Sequence, residues 1–137
     1  MLSSRLSRPA RLLLVEDSDD FAELTALALQ SSGLRYEMHR VRDGIACMLF
    51  LLEAFGRGEG VWPDVILLDL HMPRMSGYKV IEQLAAHEQL REVPVVITST
   101  LSGAAELCQG AGLRRCSALE KPVDVRRLQR LLLDWLA

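Results

Sequence analysis

Four stretches of this chain place chemically capable side chains directly after apolar runs. Glu16 and Asp17 follow Arg11-Leu12-Leu13-Leu14-Val15, and Asp69 follows Val65-Ile66-Leu67-Leu68. Thr98, Ser99 and Thr100 follow Val93-Pro94-Val95-Val96-Ile97, and Lys121 follows Cys116 to Glu120. Brought to one place, these residues make a defined toolkit. Three carboxylates repel one another unless a positive charge sits between them. A hard divalent cation meets that need, and Mg²⁺ (or Mn²⁺) accepts oxygen ligands of this kind together with water and a phosphoryl oxygen. A lysine supplies a compact charge for phosphate, and a hydroxyl can donate to a phosphoryl oxygen. An aspartate is itself a phosphoryl-accepting nucleophile in some enzymes. Acceptance of a phosphoryl group needs little beyond position and charge neutralisation.

Each residue alone has an ordinary structural reading. Asp19 and Asp20 are acidic residues suited to the first turn of a helix. Ser99 alone is a turn residue, Lys121 a solvated lysine and Asp69 a loop cap. The joint occurrence at four separate run ends favours a site.

The elements that must position these residues alternate between two patterns. Short apolar runs, 11–15, 36–41, 65–69, 93–97 and 116–120, read as strands, and the continuous run ending at Asp69 reads as a strand buried on both faces. Between them lie helical spacings. Ser18 or Asp19 caps a helix through Phe21, Leu24, Leu27 and Ala28, with Gly33 placed to end it. Asp43 starts a helix through Ile45, Met48, Leu49 and Leu52, and Gly56, Gly58 and Gly60 follow as a loop. Ser76-Gly77 opens a helix through Val80, Ile81 and Leu84. A short helix spans 104–109, and Asp124 caps a last one through Leu128, Leu131, Leu132 and Trp135. Repeated βαβ units predict a single α/β domain over 11–137, a doubly wound parallel sheet of flavodoxin-like order 2-1-3-4-5 with five helices. Such a sheet gathers ligand chemistry at the carboxyl ends of its strands. Residues 1–10 read as a flexible tail.

Composition narrows the function classes. The chain has 137 residues, half of them hydrophobic, and a net charge of −2. That charge argues against general affinity for nucleic acid. No apolar run approaches a membrane span, and Met1 to Ala10 lacks the apolar core of a signal peptide. Only Lys79 and Lys121 are lysines among sixteen basic residues. Cys47, Cys108 and Cys116 are odd in number and show no C-x-x-C spacing, so they read as reduced thiols of a cytoplasmic protein.

The motifs VEDSDD at 15–20, LLDLHMPRMSG at 67–77, PVVITST at 94–100 and LEKP at 119–122 resemble those of the response regulator receiver domain, in order and over nearly the whole chain. The resemblance implies a bacterial two-component pathway. Asp69 would accept a phosphoryl group from a histidine kinase in a Mg²⁺-dependent, self-catalysed reaction, followed by slow autodephosphorylation, so the chain would be a switch and not an enzyme proper. Asp17 and Asp69 would ligate the metal with the backbone carbonyl of His71, and Glu16, where aspartate is more frequent, would reach it through a water. Ser99 takes the switch hydroxyl position, with Thr98 as its neighbour, and Lys121 would pair with Asp69 or its phosphate. Lys121-Pro122 would be a cis peptide.

Two positions depart from the family pattern. Ala118 stands where an aromatic switch residue is common, so output would use loop and helix shifts or a subunit contact. Thr100 stands where a smaller residue is common and would narrow access to Asp69. Val41-Arg42-Asp43-Gly44, the glycine-containing loop before Pro63 and the stretch 86–94 resemble stand-alone receivers paired with phytochrome-type sensor kinases. Members of that group form homodimers through the fourth helix, fifth strand and fifth helix. Trp135 with Arg126, Arg127 and Arg130 fits such a surface, or closes the core with the arginines facing water. The chain stops after the fifth helix, so the expectation is a single-domain regulator acting by protein contacts, a phosphorelay intermediate or a phosphate sink, with no attached output domain. An aspartate-nucleophile phosphatase is the enzyme alternative, and His71 two residues after Asp69 counts against it. A degenerate interaction module and a flavin-binding relative are the others. The intact set of Glu16, Asp17, Asp69, Ser99 and Lys121 counts against the first, and an acidic crevice that repels a flavin's phosphate counts against the second.

Overall fold

A computed structural model describes residues 8–57, 62–72, 74–100 and 103–136. Five strands, β1 (Ala10–Val15), β2 (Tyr36–Val41), β3 (Val65–Asp69), β4 (Val95–Ser99) and β5 (Cys116–Glu120), form one parallel sheet in the order β2-β1-β3-β4-β5. The described helices are α1 (Asp19–Gln30), α2 (Gly44–Arg57), α3 (Gly77–Ala86), α4 (Ala104–Gly110) and α5 (Val125–Leu136), with a single 3₁₀ turn at Leu90–Glu92. The predicted fold class and strand order are the observed ones.

The strands form because their apolar residues have helices to pack against on both faces. On one face Leu13, Val15, Ile66, Leu68, Val95 and Ile97 pack with Cys47 and Leu51 of α2, Val80, Ile81 and Leu84 of α3 and Ala104 of α4. On the other, Leu12, Leu14, Val65, Leu67 and Val96 pack with Ala22, Ala28 and Leu29 of α1 and Leu128, Leu132 and Leu136 of α5. The central β3 is buried along its entire length, as its unbroken apolar run predicts.

Element ends differ from expectation where backbone hydrogen bonds decide. β1 begins at Ala10, whose N–H donates to Arg35 O at 2.8 Å. Arg8 of the expected tail grips both carboxylate oxygens of Asp64, at 2.8 and 3.2 Å, and residues 1–7 lie outside the described residues. β4 begins at Val95, because the Val93 N–H closes the 3₁₀ turn onto Leu90 O. α2 continues through Gly56 to Arg57; Gly58 and Gly60 lie outside the described residues. α1 ends at Gln30, three residues before the left-handed Gly33. Trp135 is half-buried against the α1–α5 core while Arg126, Arg127 and Arg130 are exposed.

The cysteine expectation is corrected. Cys108 of α4 and Cys116 of β5 are joined as a disulfide, and Cys47 alone is a free thiol. Neither counting nor C-x-x-C spacing could reveal a pair that only the docking of α4 on β5 brings together.

Candidate functional site

The carboxyl ends of β1, β3, β4 and β5 meet at one end of the sheet, and each contributes a side chain to the same cluster. Beyond β1 the Glu16 N–H still donates to Val41 O at 3.0 Å, so the chain leaves the sheet only after Glu16. It turns into α1 through Ser18, whose hydroxyl accepts from the Phe21 N–H at 3.3 Å and whose own N–H donates to Glu16 Oε2 at 3.2 Å. Two arginines brace this turn. Arg40 of β2 donates to the Glu16 carbonyl at 3.0 Å and to Asp19 Oδ1 at 2.8 Å, and Arg42 donates to the same Asp19 oxygen. Together they hold the Asp19 carboxyl below the usual carboxylate range.

Asp69 is the last residue of β3 and is buried. Its Oδ1 accepts the His71 N–H at 3.1 Å. The following loop folds back closely: the Gly77 N–H donates to Leu70 O at 3.0 Å. A Cβ on Gly77 would overlap the Asp69 carbonyl and lie 2.6 Å from Leu70 Cα. Glycine is required there by proximity. Arg74 of this loop takes a positive φ of 68° and reaches Asp43 Oδ2 at 3.2 Å. Asp43 also caps α2 by accepting the Ala46 N–H at 2.8 Å.

Lys121 lies at the end of β5, its N–H donating to Ser99 O at 2.8 Å and its peptide to Pro122 cis. Its Nζ stands 2.7 Å from Glu16 Oε1 and 3.3 Å from Asp69 Oδ2, with all three side chains no more than 5 % exposed. The ammonium also sits over the Phe21 ring, 4.2 Å from its centroid. Burial pushes the Glu16 carboxyl upward, and the negative Asp69 adds to this; Lys121 opposes them without cancelling the rise. The lysine thus neutralises one of the buried charges and leaves an excess of negative charge at the strand ends.

Glu16, Asp17 and Asp69 each offer one carboxylate oxygen within 4.8 Å of the others, Asp17 from an exposed position. The donor set is all oxygen, anionic and open to water on the Asp17 side, which suits a hard divalent cation. Ser99 is buried at the end of β4, opposite Glu120 in register. Thr98 is turned instead onto the sheet, its hydroxyl donating to Leu68 O at 3.5 Å. Thr100 and the His71 side chain are exposed, and the His71 ring stands edge-on to Tyr78 at 6.0 Å between centroids. Ala118 is half-buried against the core on the α4 side of the sheet.

Asp43 starts α2 as expected, but sequence reasoning missed its link to Arg74 and missed Phe21, Arg40, Arg42 and Arg74 at the site. Phe21 had a signal, since the first turn of α1 must pass over the strand ends. The arginines had none beyond charge, because their partners lie on other elements.

The family model for the response regulator receiver domain matches residues 12–133. The chain is 33 % identical over 122 residues to the probable methanogenesis regulatory protein FilR2 of Methanothrix harundinacea, covering 89 % of this chain and 78 % of that one. It is 33 % identical over 99 residues to the response regulator Rcp1 of Synechocystis, covering 72 % and 67 %, and a Mn²⁺-bound crystal structure of Rcp1 aligns with a TM-score of 0.71. The bacteriophytochrome response regulator RtBRR aligns with a TM-score of 0.79 at 32 % identity, covering 93 % of this chain and 78 % of that one. With this match on a sheet whose strand ends hold Glu16, Asp17, Asp69 and Lys121, the chain belongs to the response regulator receiver domain family.

Proposed function

We propose that this chain is a phosphorylation switch in which Asp69 accepts a phosphoryl group from the phosphohistidine of a sensor kinase. The observation that carries the reading is the convergence of Glu16, Asp17, Asp69 and Lys121, with the lysine 3.3 Å from Asp69 Oδ2. An Asp69 carboxylate oxygen forms the new O–P bond as the donor's P–N bond breaks, and the departing imidazole keeps its nitrogen lone pair. The His71 N–H on Oδ1 orients the carboxylate. Lys121, already between Glu16 and Asp69, binds a phosphoryl oxygen as that group arrives. The Ser99 hydroxyl donates to another. Asp17, Asp69, Glu16 and the His71 carbonyl are the groups that would hold Mg²⁺ or Mn²⁺, Glu16 through water. Bound there, the ion supplies neutralisation of phosphoryl charge.

The kinase proposed is of the phytochrome type, in keeping with the likeness to Rcp1 and RtBRR. Output runs through protein contacts, including a homodimer across α4, β5 and α5, in the cytoplasm and without nucleic acid. Alternatively the chain is a relay intermediate or a phosphate sink.

The test is incubation with a small acyl- or amido-phosphate donor and Mg²⁺, followed by intact mass. One labile phosphoryl adduct is expected, absent in Asp69→Asn and when the metal is chelated. Labelling of Asp69→Asn at the wild-type rate would overturn the assignment.

A further inference from the structure

We propose that Cys108 and Cys116 form a second covalent site, a reversible thiol–disulfide pair whose reaction partner is a dithiol or a disulfide and whose closure clamps α4 to β5. The two Cα atoms stand 5.2 Å apart, inside the range that a disulfide spans. Neither cysteine is fully buried, so an attacking thiolate can reach the pair. Cys47 is a poor competitor, because it is buried in α2 and its thiol is pushed up to about 12, chiefly by burial.

The position of the bridge gives it a consequence. Cys116 and Ala118 lie two residues apart on β5, on the same face, and both pack against the core that α4 covers. Among the described residues of α4 only Ala104 is buried, so this seven-residue helix has little apolar anchorage of its own. Leu107, Cys108 and Ala111 are partly buried against the same core as Ala118. The disulfide therefore adds a covalent tie between α4 and β5 to these partial apolar contacts. Reduction is a two-electron exchange. A thiolate of the dithiol attacks one sulfur, the S–S bond breaks and a mixed disulfide forms. The second dithiol sulfur then displaces the protein thiolate. The partner leaves as its disulfide, and its two protons end on Cys108 and Cys116.

The experiment uses the full chain without phosphoryl donor, so its result is separate from the chemistry at Asp69. After equilibration with glutathione disulfide or with dithiothreitol, native protein is labelled with N-ethylmaleimide and weighed. In parallel, amide hydrogen exchange is read across α4. The oxidised protein should take no label. The reduced protein should take two, with Cys47 labelled only on unfolding. Exchange in α4 should be slower in the oxidised form by on the order of ten- to a hundredfold. Cys108→Ser and Cys116→Ser should each lose this redox dependence, and Cys47→Ser should keep it. Two labels on the native protein after oxidation would overturn the proposal, as would resistance to millimolar dithiothreitol in the native state. Equal α4 exchange in the two forms would overturn the clamp.

Discussion

Replacing Lys121 by methionine keeps the unbranched apolar stem of the side chain and removes its ammonium, with the charge and the hydrogen-bond donors. In the folded chain that charge lies 2.7 Å from Glu16 and 3.3 Å from Asp69, and the side chains concerned are 4–5 % exposed. Breaking a buried ion pair by removing one partner costs about 3–5 kcal/mol, because the remaining charge is left desolvated. With 137 residues the entropy of unfolding is about 0.29 kcal/mol/K, so the expected fall in Tm is about 10–17 °C. The loss should depend on pH with a definite sign. The Glu16 carboxyl is already raised above its ordinary value of 4.5 by burial, and Lys121 is what holds it down. In Lys121→Met it rises further. A raised carboxyl contributes stability that is fully present below its unfolded value and lost as pH climbs through its folded value. The gap between variant and wild type should therefore be small near pH 4.5 and reach its full size toward pH 8. Millimolar Mg²⁺ should narrow the pH 8 gap, since a cation among the same carboxylates replaces the missing charge. Urea melts of both proteins, with chelator and with Mg²⁺ at several pH values, measure all three effects. A loss below about 1 kcal/mol at pH 8, or a loss unchanged from pH 4.5 to 8, would refute the reasoning.

Other substitutions separate roles that lie close together. Gly77→Ala forces a Cβ onto the Asp69 carbonyl and Leu70 Cα, and should cost about 1–3 kcal/mol together with a slower phosphoryl transfer, because the displaced loop carries the His71 N–H; wild-type labelling in a destabilised variant would detach the loop from the chemistry. Ser99→Ala should slow labelling of Asp69 about tenfold or more while Thr98→Val leaves it unchanged, because the Thr98 hydroxyl is engaged with Leu68 O; the reverse ranking would move the switch hydroxyl to Thr98. Asp64→Ala should cost about 1–3 kcal/mol by orphaning the Arg11 N–H bonded to it at 2.7 Å. Arg8→Ala, which removes only a partly exposed ion pair to the same aspartate, should cost under about 1 kcal/mol, and equal losses in the two denaturation curves would show that the tail carries the energy.

The strand pattern was legible because burial on both faces leaves an unbroken apolar signature, as in Val65-Ile66-Leu67-Leu68. The carboxylate at its end was legible because an open parallel sheet has one chemically useful edge. Element ends were less so. Val93 and Pro94 extend the apolar run of β4, yet Val93 closes a turn onto Leu90 and only the carbonyl of Pro94 joins the ladder, accepting from the Ile66 N–H at 2.9 Å. Composition does not separate a residue that completes a turn from one that opens a strand. The disulfide and the bracing arginines were invisible for a related reason. Each depends on a distance between elements, and no local pattern encodes how closely α4 approaches β5 or how far Arg40 reaches along the β1–α1 turn.

The placement of Lys121 shows the same limit inside the site. The resemblance assigns the lysine to Asp69 or its phosphate, and assigns Glu16 to the metal through a water. The geometry divides the lysine otherwise, at 2.7 Å from Glu16 and 3.3 Å from Asp69. Glutamate at 16 is one methylene longer than aspartate, and that length brings its Oε1 to the ammonium while Oε2 takes the Ser18 N–H. In this state Lys121 serves Glu16 first. In the proposed function a phosphoryl group on Asp69 would add negative charge next to Oδ2 and would draw the ammonium toward β3. The Lys121 N–H is bonded to the Ser99 carbonyl, so the side chain that senses the charge belongs to a residue tied by its backbone to the end of β4. Under the proposed function, a charge added at Asp69 would reach the end of β4 through Lys121, a route that does not require a rotating aromatic at Ala118.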